Sequence, residues 1–220
     1  MDASLDTDIV IHLFISGRQE LLFSSFDNLY MFEFLIEQEL RVKSPTVYDK
    51  VRTELAAGRI KRITVANLIE RGIRNLFDEY KRDYSILFDQ GELHAIALAK
   101  AMGISAFVSD DTKDQGPHQT LVKQLIEDVI PFAFYELLFL KFLRSTITVQ
   151  EMKAEFEAVN DAAMGQHPMS FRTKIAATVR RFSTRDGTER DTDWMNAFCL
   201  AQRINYREKM QELKCFLDKQ

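Results

Sequence analysis

Cysteine is almost missing from this chain: Cys199 and Cys215 are the only two among 220 residues. That excludes a disulfide framework and a zinc pattern, and two such thiols read as reduced groups in a cytoplasmic protein. Long apolar runs are missing as well. The longest, Ile130 to Leu143, is broken by Glu136 and Lys141 and is too short to span a bilayer, so no membrane partner is expected. The opening MDASLDTD has neither the basic nor the apolar region of a signal peptide. There is no internal repeat, and GRIKRIT at 58–64 lacks the second glycine and the Gly-Lys-Ser/Thr ending of a phosphate loop. Basic charge is in short supply too. The net charge of −4 argues against a surface that binds nucleic acid everywhere. The balance is uneven, with 18 basic against 25 acidic residues up to position 160 and 11 against 8 after it. A basic end on an acidic body suits either contact with a polyanion at one edge or internal charge pairing.

What is present suffices for a large core: 46% hydrophobic residues, seventeen of the 220 being Phe. The stretch that organises the rest is Phe88 to Asp111, FDQGELHAIALAKAMGISAFVSDD. Glu92 opens a run that is apolar around most of a helix circumference, and Gly103 ends it, which predicts a buried helix. Ile104 to Val108 then has the length and apolarity of a strand, and Ser109, Asp110 and Asp111 follow at once. Asp89 and Glu92 stand at capping-box spacing, and Asp110 or Asp111 has the chemistry to cap a following helix. Those readings account for each acid singly, but not for their recurrence at strand ends.

Along the chain, Ala3 to Asp6 is a very short strand, and Asp6 or Thr7 caps Asp8 to Phe14, whose pattern fits helix or strand. Asn28 to Phe34 reads as a strand, Leu35 to Leu40 as helical, and Pro45 to Ala57 as a helix stopped by Gly58. Ile60 to Val65 is a third strand, and Ala66 to about Tyr80 a single helix. Leu121 to Glu127 is helical, and Val129–Ile130 is an edge strand before Pro131. Helices then follow at Phe132 to Leu143, Val149 to about Met164, Phe171 to Phe182 and Trp194 to Leu217. Alternation in the first 130 residues predicts a parallel α/β sheet, with a helical C-terminal extension.

In an open parallel sheet the carboxyl ends of the strands line the ligand crevice. Asp6, Glu39, Glu92 and Asp110 or Asp111 all fall at or just after predicted strands or at the start of the buried helix. Such a set offers the oxygen ligands that hard divalent cations take, and suits in-line phosphoryl displacement, the chemistry of a nuclease or a phosphatase. Glu33 and Glu37 compete with Glu39 for the second place.

Three pieces resemble the PIN-domain nucleases: LDTDIVIHLF, EQEL and, over more than twenty consecutive positions, DQGELHAIALAKAMGISAFVSDD. The resemblance covers about residues 1–150 and leaves 151–220 as the helical extension. It implies a three-layer α/β/α fold with a parallel sheet of four to five strands. It further implies Mg²⁺ or Mn²⁺ held by Asp6, Glu39, Glu92 and Asp110 or Asp111, and hydrolysis of RNA. Many such proteins are toxins of toxin–antitoxin pairs, so an antitoxin partner and a homo-oligomer come with the resemblance. Lys113 stands where the family often carries a basic residue.

Two other readings use the same residues: a catalytically silent PIN-like module that binds RNA or a protein partner, and a small-molecule phosphatase. Phe171 to Arg185 holds five basic residues and no acid. Arg172, Lys174, Arg180 and Arg181 are its candidate phosphate contacts, against the simpler reading of an amphipathic helix with solvated cations. His94 reads as a packed or surface histidine, and His118 as an exposed loop residue.

Overall fold

The structure, a computed structural model, describes residues 1–110, 126, 128–163, 165, 168–183, 185 and 187–219. The chain forms two compact units, Met1–Phe134 and Tyr135–Gln220.

The first unit is α/β with a five-stranded, all-parallel sheet, the layout of a three-layer α/β/α fold. Its strands are β1 (Asp2–Leu5), β2 (Asn28–Phe32), β3 (Ile60–Ile63), β4 (Ala106–Val108) and β5 (Ile130–Phe132), in the order β3-β2-β1-β4-β5. β1 is only four residues long yet central, with Ser4 opposite both Tyr30 and Phe107. Ala3, Leu5, Ala106, Phe107 and Val108 have no exposed surface, as expected for strands covered on both faces. Pro131 lies inside β5, where an edge position tolerates a residue that cannot donate to a ladder.

The helices follow the strands. α1 (Thr7–Ile15) starts directly after β1, which settles Asp8 to Phe14 as helix, with Asp6 as its cap. Leu35–Leu40 winds as a wide π-turn after β2, and α2 (Pro45–Ala56) carries Pro45 in its first turn. The single helix expected over Ala66–Tyr80 is instead two, α3 (Val65–Glu70) and α4 (Arg74–Tyr84). Gly72 breaks it, adopting φ +70° between them. α5 (Gln90–Met102) is capped by Asp89 and buried over most of its length. It is tied to the central strand where Ser4 Oγ donates to the Ala95 carbonyl at 2.8 Å. Apart from Ile126, which is not helical, the helix expected over Leu121–Glu127 lies outside the described residues.

Helix α6 (Phe134–Leu143) spans the division, and the second unit continues with α7 (Val149–Ala163), α8 (Phe171–Arg181), α9 (Glu189–Ala201) and α10 (Tyr206–Leu217). The long helix expected from Trp194 to Leu217 is broken at Arg203, a non-glycine residue at φ +54°, so Cys199 and Cys215 sit on different helices. Both are free thiols. The core here is aromatic, with Phe156 and Phe171 edge to face at 5.4 Å. No helix of the described residues is long and apolar enough to cross a membrane.

Candidate functional site

β1 pairs with β2 on one side and β4 on the other, so the strand order reverses beside β1, where parallel sheets open a crevice at their carboxyl ends. Asp6 stands there. Its backbone N–H donates to the Val108 carbonyl at 2.9 Å, extending the β1–β4 ladder, and its side chain caps α1 by accepting from the Thr7 N–H at 2.7 Å. Ser109, the first residue beyond β4, donates its hydroxyl to the other Asp6 oxygen at 2.8 Å. The carboxylate is thus held from two strands and a helix N-terminus while only 4% exposed.

Glu39 arrives from the π-turn. Its Oε2 accepts from the Thr7 hydroxyl at 2.8 Å and lies 3.7 Å from the Lys43 ammonium, which also pairs with Asp8 at 3.1 Å. The convergence of Asp6 and Glu39 is fixed by Gly91, in the first turn of α5. A Cβ placed on Gly91 would stand 2.8 and 3.0 Å from the two Glu39 oxygens and 3.2 Å from Asp6 Oδ1. Only a residue without a side chain lets the helix start come so close to both acids. Glu92, the next residue, is 3% exposed.

The electrostatics record the crowding. Asp6 is held well above the ordinary carboxylate pKa, first by burial and then by the charges of Asp8 and Glu92. The hydrogen bonds from Ser109 and Thr7 offset only part of this. A buried acid beside other acids is destabilised when ionised and gains from any cation placed among them. Oxygen donors alone, with no soft ligand in the set, fit a hard divalent cation such as Mg²⁺ or Mn²⁺. Among the described residues no three acid, histidine or cysteine side chains already stand as a complete metal-holding group.

Of the residues expected at this site, Asp6 and Glu39 come together beside Gly91, and the charge of the buried Glu92 acts on Asp6. Asp110 has other partners. Its Oδ1 accepts from the Phe134 N–H at 2.9 Å and its Oδ2 lies 3.2 Å from His12 Nδ1. Burial alone would lower the His12 pKa, but the hydrogen bond and charge of Asp110, with Asp8 behind, raise it above its ordinary value. Asp111, Lys113 and His118 lie outside the described residues. Glu33 and Glu37 are engaged elsewhere, Glu33 with the Val65 N–H at 2.9 Å and Glu37 with the Tyr48 hydroxyl at 2.9 Å. The residues that sequence reasoning passed over are Thr7, Ser109, Lys43 and Gly91. All adjoin a predicted acid in sequence except Lys43, which is four residues after Glu39 in the spacing of a helical ion pair.

The expected basic face of α8 is corrected. Arg181 is buried, with Nε 2.6 Å from Asp191 and Nη1 2.8 Å from Glu136. Lys174 is 7% exposed, its ammonium 5.8 Å from the Tyr135 ring centre. Arg172 and Arg180 remain exposed. The apolar stripe of the helix carries two of the four cations inward because their long stems pack with it.

Comparison with known protein families, curated proteins and solved structures finds no match.

Proposed function

We propose that the first unit is a PIN-like, metal-dependent endoribonuclease, with Asp6, Glu39 and Glu92 as its acids. The observation that carries this reading is the approach of Asp6 and Glu39, each within about 3 Å of one point above Gly91, beside a buried Glu92. These carboxylates would hold a Mg²⁺ or Mn²⁺ ion, which would supply Lewis acidity towards water and the phosphate. The chain's own residues prepare the place. Ser109 and Thr7 fix the Asp6 oxygens, and Thr7 and Lys43 aim Glu39. Lys43 also leaves a cation at the rim of an otherwise acidic site. Toxin activity, with an antitoxin to restrain it, is a special case of this proposal.

The test is cleavage of single-stranded RNA by the full chain with Mn²⁺. Asp6→Asn and Glu92→Gln are expected to lose at least about 100-fold in kcat/KM, and Ser109→Ala about 10- to 100-fold as a supporting residue. Wild-type protein that binds RNA without cleaving it would place the chain among silent binding modules. Hydrolysis of nucleoside monophosphates but not RNA would make it a phosphatase.

A further inference from the structure

The acidic site leaves unused a cleft of about 390 Å³ in the first unit, a size suited to a small ligand. Its wall is aromatic. The His94 ring is stacked with Phe34 (centres 4.2 Å apart, planes 12° apart) and with Phe32 (5.5 Å, 16°), and Phe77 closes the group. Phe32 and Phe77 are buried, whereas Phe34 is half-buried and lines the cleft. His94 Nδ1 lies 2.6 Å from the Gln90 carbonyl, so that nitrogen carries the proton. The imidazole is thus a flat member of the stack.

Most charges of the cleft are matched. Arg74 pairs with Asp78 at 2.5 Å, Glu33 caps the start of α3, and Glu37 takes the Tyr48 hydroxyl and faces Arg62 at 3.5 Å. Lys81 is the exception. Its half-buried ammonium stands 5.7 Å from the Phe77 ring centre and makes no ion pair among the described residues. The charge of Asp78 acts on Lys81 as well, but its carboxylate is taken by Arg74. A flat aromatic surface beside a cation held in no ion pair offers a nucleotide unit stacking for its base and charge for its phosphate.

The cleft also adjoins the acids along two elements. The π-turn carries Glu37 and Gln38 at the cleft and Glu39 at the acids, and α5 carries His94 at the cleft and Glu92 at the acids. We infer that this cleft is a nucleotide-binding subsite, with the base stacked on Phe34 and the phosphate held by Lys81. In assigning the bound unit to the substrate strand, the inference rests on the nuclease reading above.

Calorimetric titration of the full chain in EDTA, without metal and without cleavage, tests it. The probes are adenosine 5′-monophosphate, adenosine, ribose 5-phosphate and a short adenosine oligoribonucleotide. The monophosphate is expected to bind more tightly than either of its halves. Phe34→Leu should weaken binding by about 5- to 150-fold, the range of one stacked base. Lys81→Gln should weaken it too, and should flatten the salt dependence of oligonucleotide affinity by about 0.7 logarithmic units per decade. Lys61→Gln, at an exposed residue of β3, should change neither. Oligonucleotide bound well above monophosphate identifies the ligand as a strand, and equal affinity identifies a free nucleotide. If thermal melts show Phe34→Leu unfolded, Lys81→Gln carries the decision. Binding unmoved by Lys81→Gln, no binding at millimolar probe, or ribose 5-phosphate bound as tightly as the monophosphate overturns the inference. Nucleotide binding that depends on Lys81 in a protein inert towards RNA with Mn²⁺ would instead remove the nuclease reading and leave the subsite.

Discussion

A methyl group on residue 91 would meet Glu39 Oε2 at 2.8 Å, and that oxygen is the far end of a flexible side chain. Gly91→Ala should therefore displace Glu39 rather than unfold the helix. Alanine is the better helix former by up to about 1 kcal/mol, so the melting temperature is expected to hold or rise. Under the proposed nuclease reading, RNA cleavage should fall about 100-fold, the usual effect of a misplaced functional group. Melts and kcat/KM measured on one preparation check both halves. His94 gives a second expectation. Its pKa of about 4, against an ordinary 6.5, means the native state binds fewer protons than the unfolded chain between those values. Its contribution is complete above pH 6.5 and lost as pH falls toward 4, amounting to roughly 3 kcal/mol. Replacing it with Phe should shrink the stability difference between pH 7 and pH 4.5, as read by urea denaturation at both. At this scale the sequence made Asp6, Glu39 and Glu92 legible, because acids recurring at strand ends need no tertiary information to be noticed. Ser109 was not legible as the partner of Asp6, because its hydroxyl reaches across 103 residues. The Phe34–His94 stack was hidden for the same reason, since aromatic residues in a Phe-rich chain read as core.

Among the elements, the strands and most helices were legible from apolar runs and their punctuation. Gly103 ends α5 in the left-handed conformation and Asp89 caps its start, both as expected. The breaks at Gly72 and Arg203 were not, since one glycine in a helical pattern is tolerated and nothing marks an arginine for a left-handed turn. The inward cations of α8 were missed because their stems are as apolar as leucine while their heads count as charge. Arg181 answers two buried acids, and this holds its pKa above the ordinary arginine value despite burial. Arg181→Met should cost about 3–5 kcal/mol by removing the cation that Glu136 and Asp191 share, measured by denaturant unfolding. Neutralising exposed Arg172 and Arg180 should cost little stability. If α8 touches RNA, the double variant should flatten the salt dependence of affinity by roughly 1.4 logarithmic units per decade, and an unchanged slope would leave both cations merely solvated.

For the whole molecule, the acids set the terms of stability. An acid whose pKa is raised on folding costs stability wherever it is ionised, so Asp6→Asn is expected to stabilise the metal-free protein at pH 7, and Glu92→Gln, which removes a negative charge acting on Asp6, is expected to do the same. Wild-type protein should gain about 2.7 kcal/mol from Mn²⁺ at a hundred times its dissociation constant, and the variants should gain far less. Thermal melts with and without Mn²⁺ decide this, and a Glu92→Gln protein that still responds fully to metal would reduce Glu92 to part of a helix start. The central position of β1 reaches further, into biosynthesis. Its first neighbour, β2, follows within 26 residues, but β4 and Ser109 come about a hundred residues later. At about 5–20 residues per second, a ribosome needs roughly 5–20 s to make the intervening chain. Through that interval Asp6 lacks its serine and the sheet its middle pairing, so a nascent chain released early carries the acids but no assembled site.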